Sequence, residues 1–476
     1  MIKFGTSGWR AIIADEFTFG NLRLASHAIA DTLLAVGTAS RGVAIGYDTR
    51  FLSEQFALEA ARILATKGIR CVMSATAVPT PVLAHAIRHH GFGGAINITA
   101  SHNPADYNGL KLSTDKGAPS PPDLTRSVED RIEALARSAD ADRLCSPGKI
   151  PAEAARLIEK GDFLDAYADH IESLVRFDAI RGARLALGLD PRWGAARGFY
   201  DAILRREEIP VTVIHDQRDV TFGGGGPDVS ERNLKELSDL VAERRLGLGL
   251  ACDGDADRFG VVDPEAGWVS PNQLLALLAD YLAESRGFRQ GVGRTYATTS
   301  LLDAVARRHG VPVHQTPVGF KYLGELILQD KVFLAGEESA GMSMTGHVPE
   351  KDGILAGLLA AEMVAAKGQS IAKLRQDLFA RVGALHSARE DFKVTPEETA
   401  RLRQAMKAPP GSLGGRAVSR TTVLDGLRLD FDDGAWLLMR PSGTEPVVRY
   451  YVEAPTEREL GELMRTGKAV LIGGGA

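Results

Sequence analysis

The order of elements predicts an α/β protein: three similar mixed α/β sandwich domains followed by a smaller α+β C-terminal domain, arranged around one cleft. Two patterns carry this prediction. Short apolar runs of strand type alternate with helical periodicity along most of the chain, the signature of layered α/β units. Three such series each stop at a loop rich in reactive side chains, and after about Phe379 the pattern changes to the alternation of antiparallel strands. At 476 residues the chain also exceeds what one core serves. The expected bounds are 1–146, 147–267, 268–380 and 381–476.

In the first series, apolar residues at Leu22, Ala25, Ile29 and Leu33 predict a helix from Leu22 to Leu34. A strand from Val43 to Tyr47, a helix from Glu54 to Lys67 stopped by Gly68, and a strand from Ile69 to Met73 follow. A helix from Pro81 to His90 leads into a strand from Gly94 to Ile98 and the Ser101 loop. Pro119 to Pro122 reads as a turn, and Cys145 to Pro151 as a first linker.

The second series runs through Leu185 to Leu189, a helix near Ala195 to Arg205, Val211 to Ile214, a helix from Asn233 to Arg245, and Leu246 to Ala251, ending at Asp253. The third runs through Val292 to Thr298, Leu301 to His309, Val311 to Gln315, Gly319 to Leu328, and Val332 to Ala335, ending at Glu337. Gly223 to Gly226 lacks the Gly-Lys-Ser/Thr of a phosphate-cradling P-loop and reads as a connection. Beyond Phe379, strands are expected over Thr422 to Phe431, Ala435 to Met439 and Val447 to Glu453, then a helix from Glu457 to Met464. Ligands of open α/β sheets sit outside the carboxyl ends of strands, so the three loops are expected to share one site.

Composition narrows the partners. A hydrophobic fraction of 44%, a charged fraction of 25% and a net charge of −5 give no electrostatic footprint for nucleic acid or an anionic membrane. Cys71, Cys145 and Cys252 lack metal-ligand spacing, and an odd number argues against a disulfide framework, so a reducing cytoplasm is expected. No apolar run approaches a membrane span, and Met1 to Gly5 lack a signal core, so the mature chain is expected to start here.

Thr99-Ala100-Ser101-His102-Asn103-Pro104 sets a serine between a strand and a proline-stopped loop, where it is expected to be presented rather than buried. Serine needs a base, a metal or a pre-loaded group to act as a nucleophile. Asp253, Asp255 and Asp257 project to one side of an extended or gently curved segment. Three such close carboxylates need a counter-charge, and all-oxygen ligation suits Mg²⁺. An EF-hand is excluded, since Arg258 and Pro264 stand where that loop has Gly and Glu; a solvated acidic turn is the plain alternative. Glu337 and Ser339 offer an acceptor and a two-way hydroxyl suited to adjacent sugar hydroxyls. Arg440, Ser442, Gly443 and Thr444 form a donor-rich turn suited to a phosphate, or else a capped turn before a strand.

Together with Phe4-Gly5-Thr6-Ser7-Gly8, these motifs resemble the α-D-phosphohexomutases, the phosphoglucomutase and phosphomannomutase family, over nearly the whole chain. The resemblance implies interconversion of hexose 1-phosphate and hexose 6-phosphate through phospho-Ser101 and a sugar 1,6-bisphosphate. It implies one Mg²⁺ per chain held by the three aspartates and a Ser101 phosphoryl oxygen, with glucose 1,6-bisphosphate as activator. Lys111 maps onto a residue that exchanges protons with the sugar hydroxyl, which requires a lowered pKa; otherwise it is a surface lysine on a strand. His102 assists that transfer, binds phosphate or only fixes the loop; Arg10 matches a family arginine that approaches the serine and Arg258 follows the metal loop as a substrate-binding candidate, or else each is a structural ion-pair partner.

Glu337 and Ser339 would read O3 and O4 of the sugar, with Glu338 directed elsewhere, and Arg440 to Thr444 would hold the non-reacting phosphate. Gly341 stands where some bacterial members have a histidine, while His347 and Lys351 match the phosphoglucomutase-like branch, with Lys351 a substrate ligand. Gly-Glu-Glu-Ser in place of Gly-Gly-Glu-Gln-Ser favours glucose or mannose phosphates over glucosamine phosphate. A metal-dependent sugar phosphatase and a non-catalytic sugar-phosphate sensor are the rivals. The expected partners are hexose phosphates, with neither nucleic acid nor membrane, for a monomer or homodimer.

Overall fold

The computed structural model describes residues 2–5, 8–441 and 446–472. Thr6, Ser7, Ser442, Gly443 and Thr444 therefore lie outside the described residues. The chain forms two compact units, residues 1–274 with 319–372 and residues 275–318 with 373–476, so the expected third α/β domain is divided between them.

The larger unit contains a six-stranded sheet in the order Trp9–Ile12, Tyr107–Ser113, Ala95–Ile98, Val43–Tyr47, Cys71–Ser74, Ile158–Gly161. Val43–Tyr47 is buried along its whole length, as a parallel strand covered on both faces should be. The strand Ile158–Gly161 pairs with Cys71–Ser74, so this sheet continues past the Cys145 to Pro151 stretch read as a linker. A second sheet has the order Gly267–Trp268, Phe259–Asp263, Leu248–Cys252, Leu187–Asp190, Val211–Val213. The same unit holds the antiparallel pair Val332–Glu337 and Gly341–Met344. The helix Gly353–Lys367 is buried from Gly353 to Val364.

The smaller unit contains the parallel pair Gly291–Thr295 and Val313–Thr316, together with an antiparallel sheet in the order His386–Lys393, Val447–Ala454, Trp436–Pro441, Leu427–Phe431, Arg416–Val423, Ser412–Leu413. Leu427, Leu429, Leu437, Met439, Val448, Tyr450 and Val452 fill its core. No single described helix is long and apolar enough to cross a membrane.

Several elements differ from expectation for local reasons. Thr422 to Phe431 is two strands, because Leu424-Asp425-Gly426 turns the chain between Arg416–Val423 and Leu427–Phe431. The helix expected near Ala195 begins at Tyr200; before it, Asp190 Oδ1 accepts from the Arg192 N–H at 2.7 Å, and Arg192 and Trp193 adopt left-handed backbone. Pro122 opens a helix to Ala136, a position where its missing N–H goes unused.

Candidate active site

The reactive loops follow strand ends of the larger unit, where the backbone leaves the sheet and side chains can converge. Ser101 follows Ala95–Ile98, Asp253 follows Leu248–Cys252, and Glu337 is the last residue of Val332–Glu337. Ser101 is fully buried rather than presented, with left-handed backbone at φ 52°. It is covered because its loop packs against the aspartate loop: its hydroxyl donates to Asp253 Oδ2 at 2.8 Å. Gly254 permits that approach, since a Cβ there would stand 2.7 Å from the Ser101 carbonyl oxygen.

Asp253, Asp255 and Asp257 converge, but through a tight turn rather than an extended or gently curved segment. Ala256 adopts φ 58° and its N–H donates to the Asp253 carbonyl at 3.0 Å. One oxygen from each of the three buried carboxylates lies within 4.8 Å of the others. Burial, with Asp257 and Asp255 beside it, pushes the Asp253 carboxyl up to about 8. Burial would raise Asp257 too, but Lys111, Lys351 and Arg258 outweigh it and hold that carboxyl well below the usual range. Asp255 Oδ1 and Asp257 Oδ1 are buried without a hydrogen-bond partner. Two orphaned carboxylate oxygens in an all-oxygen cluster fit a hard divalent cation.

Lys111 lies on the strand Tyr107–Ser113 and is buried, which rules out a surface lysine. Its ammonium donates to Asp255 Oδ2 at 2.5 Å and Asp257 Oδ2 at 2.7 Å. Burial acts to lower its pKa, yet the two carboxylates prevail and the net shift is upward, opposite to the lowering expected of a proton acceptor. Lys351 is also buried, 3.2 Å from Asp257 Oδ2 and 3.0 Å from Glu350 Oε1. Arg10 donates to Asn103 Oδ1 at 2.8 Å, and its pKa is drawn down by burial and then by Arg258. Arg258 Nε is buried without a hydrogen bond, 4.0 Å from Asp257 Oδ1. His102 Nδ1 stands 3.4 Å from Ser101 Oγ, and burial, then Arg258 and Arg10, hold this imidazole neutral.

Glu337 is buried and accepts from the Gly319 N–H at 3.0 Å, while burial and Glu338 push its carboxyl up to about 7. Ser339 follows in the turn and is partly exposed. Gly341 is where Lys351 passes: a Cβ there would overlap Lys351 Cδ, so a side chain at 341 and this path for the lysine exclude each other. Lys351 is held from its next residue, because Asp352 caps the following helix through Oδ1, to the Ile354 and Leu355 N–H groups at 2.8 and 3.0 Å. His347 is buried between Asp352 Oδ2 at 2.7 Å and His170 Nε2 at 3.0 Å, a fixed support for this loop. In the smaller unit Arg440 lies on Trp436–Pro441, partly exposed.

Sequence reasoning passed over several residues of this site. Thr80 donates to Asp255 Oδ2 at 2.6 Å and receives Asn97 Nδ2 at 2.9 Å, fixing the middle aspartate. Asp48 and Arg50 also follow a strand end, that of Val43–Tyr47, and reach the Ser101 loop. That strand-end position was the signal available for them.

Comparison with known proteins bears on the whole chain. Family models for the phosphoglucomutase/phosphomannomutase α/β/α domains I, II and III match residues 1–138, 165–267 and 270–382, and the model for the C-terminal domain of that family matches 389–466. Fold and site together define an intramolecular phosphotransferase built from α/β domains. A phosphoglucomutase/phosphomannomutase from Thermococcus kodakarensis is 30% identical over 98% of this chain and 98% of its own. A phosphoglucosamine mutase from Frankia alni is 31% identical over 95% of this chain and 94% of its own. A solved structure assigned as a phosphomannomutase, from Thermus thermophilus, superposes with a TM-score of 0.84 at 33% identity, over 99% of both chains. The chain belongs to the phosphoglucomutase/phosphomannomutase family, the α-D-phosphohexomutases.

Proposed function

We propose that the chain interconverts the 1- and 6-phosphates of glucose, mannose or both, with Ser101 as the phosphoryl carrier. The observation that carries this reading is the Ser101 hydroxyl, bonded at 2.8 Å to the first of three clustered carboxylates. Phospho-Ser101 gives its phosphoryl group to the free sugar hydroxyl: the serine O–P bond breaks, the sugar O–P bond forms, the sugar hydroxyl proton leaves to a base, and the released Ser101 oxygen takes up a proton to become the hydroxyl. The resulting hexose 1,6-bisphosphate reorients and returns its other phosphoryl group to Ser101. Catalysis of this kind is positioning plus electrostatic stabilisation.

Asp253, Asp255 and Asp257, with a phosphoryl oxygen of Ser101, would hold one Mg²⁺, supported by the orphaned oxygens of Asp255 and Asp257. Bound there, Mg²⁺ would polarise the phosphoryl group and neutralise the carboxylates that keep the Lys111 pKa high. Lys111 is the proposed proton-exchanging group, within the cluster at 2.5 Å from Asp255. Burial and then the Arg258 charge draw the Arg10 pKa down, a crowding of positive charge that a phosphate dianion beside Ser101 would relieve. His102 is neutral and 3.4 Å from Ser101 Oγ, fit to accept or donate one hydrogen bond there.

Glu337 and Ser339 are proposed to hold sugar hydroxyls with Lys351 beside them, and Arg440 with Ser442, Gly443 and Thr444 to bind the non-reacting phosphate. The Gly336-Glu337-Glu338-Ser339 sequence supports glucose or mannose. The Frankia alni relative makes glucosamine phosphate the competing substrate. The three cysteines are unpaired, which supports a reducing, cytoplasmic setting.

The test is a coupled assay with Mg²⁺ and trace glucose 1,6-bisphosphate, comparing glucose 1-phosphate, mannose 1-phosphate and glucosamine 1-phosphate. Isomerisation of the first or second at the highest kcat/KM is the expected result. Preference for the third refutes the sugar assignment, and net release of inorganic phosphate refutes the mutase in favour of a phosphatase.

A further inference from the structure

Behind Ser101 lies a buried cation that the proposed chemistry does not use. Arg50 has no exposed surface, yet its guanidinium is fully engaged. Nη2 donates to the Ser101 and Asn103 carbonyls at 2.7 and 2.6 Å, and Nη1 to the Pro104 and Tyr107 carbonyls at 2.6 and 3.0 Å. Nε donates to Asp48 Oδ2 at 3.0 Å. One side chain thus gathers four carbonyls from seven consecutive residues of the serine loop.

The anchor is equally determined. Asp48 accepts from the Thr99 hydroxyl at 2.7 Å, the Ser53 hydroxyl at 2.8 Å and the Arg50 N–H at 3.0 Å. Thr99 Oγ1 in turn accepts from the Ser101 N–H at 2.9 Å. The Phe222 ring lies 5.0 Å from the guanidinium carbon, and the exposed Arg218 donates to the Thr49 and Arg50 carbonyls at 3.3 Å.

This network answers two physical requirements of the loop. Ser101 has a backbone conformation unfavourable to a residue with a side chain, and such conformations persist only where surroundings over-determine them. Carbonyl oxygens left free in the loop would also repel a phosphate dianion, and Arg50 engages four of them. We propose that Arg50 is a positioning residue for the phosphoryl carrier: its clasp on the Ser101, Asn103, Pro104 and Tyr107 carbonyls aims Ser101 Oγ and keeps the loop closed against water. This rests on the reading of Ser101 as the carrier.

Lysine keeps the charge but has one nitrogen and no planar fork, so Arg50→Lys cannot span the four carbonyls. The test uses the full chain carrying Arg50→Lys, Arg218→Ala or Ser101→Ala. It measures kcat and KM for glucose 1-phosphate and, without sugar, the release of inorganic phosphate from enzyme loaded with glucose 1,6-bisphosphate. Arg50→Lys is expected to lower kcat by about 100-fold with KM changed less than about threefold, and to speed phosphate release by about tenfold. Arg218→Ala, changed at an exposed side chain, is expected to lower kcat by about threefold and speed release in the same direction. It decides the matter if Arg50→Lys does not fold. Folded Arg50→Lys with wild-type kcat and phosphate release, or a loss confined to KM, overturns the clasp while Ser101→Ala is inactive. An active Ser101→Ala overturns the carrier reading itself, and the clasp with it.

Discussion

Glu337 illustrates how a single side chain sets a measurable property. Its carboxyl, pushed up to about 7 by burial and by Glu338, changes charge within the working range of an enzyme assay. Above that value the carboxylate only accepts hydrogen bonds, as the proposed contact with sugar hydroxyls requires; below it, the bound proton makes it a donor as well and removes its charge. KM for the sugar phosphate is therefore expected to rise as pH falls through about 7, by about tenfold per unit further down from this group, and to rise less steeply over that range in Glu337→Gln. Titration of the substrate phosphate would remain in the variant, so the difference between the two profiles isolates the residue. Identical profiles would remove Glu337 from the sugar site.

At the scale of elements, the helices Thr80–His90 and Leu164–Leu174 meet the loop before Gly353 through a stack of histidines. His85 and His170 stack at 4.7 Å, His170 and His347 at 5.1 Å, and His347 ends on Asp352. Burial, then neighbouring histidines, lowers the pKa of His85 to about 3 and of His170 to about 4. Both lie below the unfolded value of about 6.5, so the unfolded chain binds more protons between those limits. Their contribution to stability is present above about 6.5 and is lost as pH falls toward about 4 and then about 3. His85→Phe keeps a ring in the stack without the proton, and its thermal midpoint is expected to fall less between pH 6.5 and 4 than the wild type's. An unchanged acid limb would show that other groups govern it.

Elements also show what the sequence could and could not disclose. Val43–Tyr47 and Leu301–His309 were legible to the residue because burial on every position or a clean helical stripe leaves one solution. The aspartate cluster was legible because its members alternate within five residues, though not the turn at Ala256 that makes them converge. Thr80 was not, since its partner Asp255 lies 175 residues away. Nor was the burial of Ser101, which depends on packing between two loops distant in sequence.

In the molecule as a whole, the larger unit gathers buried charge of both signs at one place. Three carboxylates, Lys111 and Lys351 share one buried cluster, and the lysines supply counter-charge without a metal. The metal-free chain is accordingly expected to stay folded but inactive in a chelator. Mg²⁺ at about 100 times its Kd should add about 2.7 kcal/mol to stability by mass action, read as a higher thermal midpoint. Asp255→Asn should remove most of that increment. A midpoint indifferent to Mg²⁺ in the wild type would contradict a metal at the three aspartates.

The central claim is that Ser101 carries the phosphoryl group. Its most direct measurement is peptide-resolved mass spectrometry of the chain after incubation with glucose 1,6-bisphosphate, alongside turnover of Ser101→Ala. One phosphoryl group on Ser101 and an inactive variant are the predicted result. Phosphate on another residue, or turnover that survives without the serine hydroxyl, would contradict it.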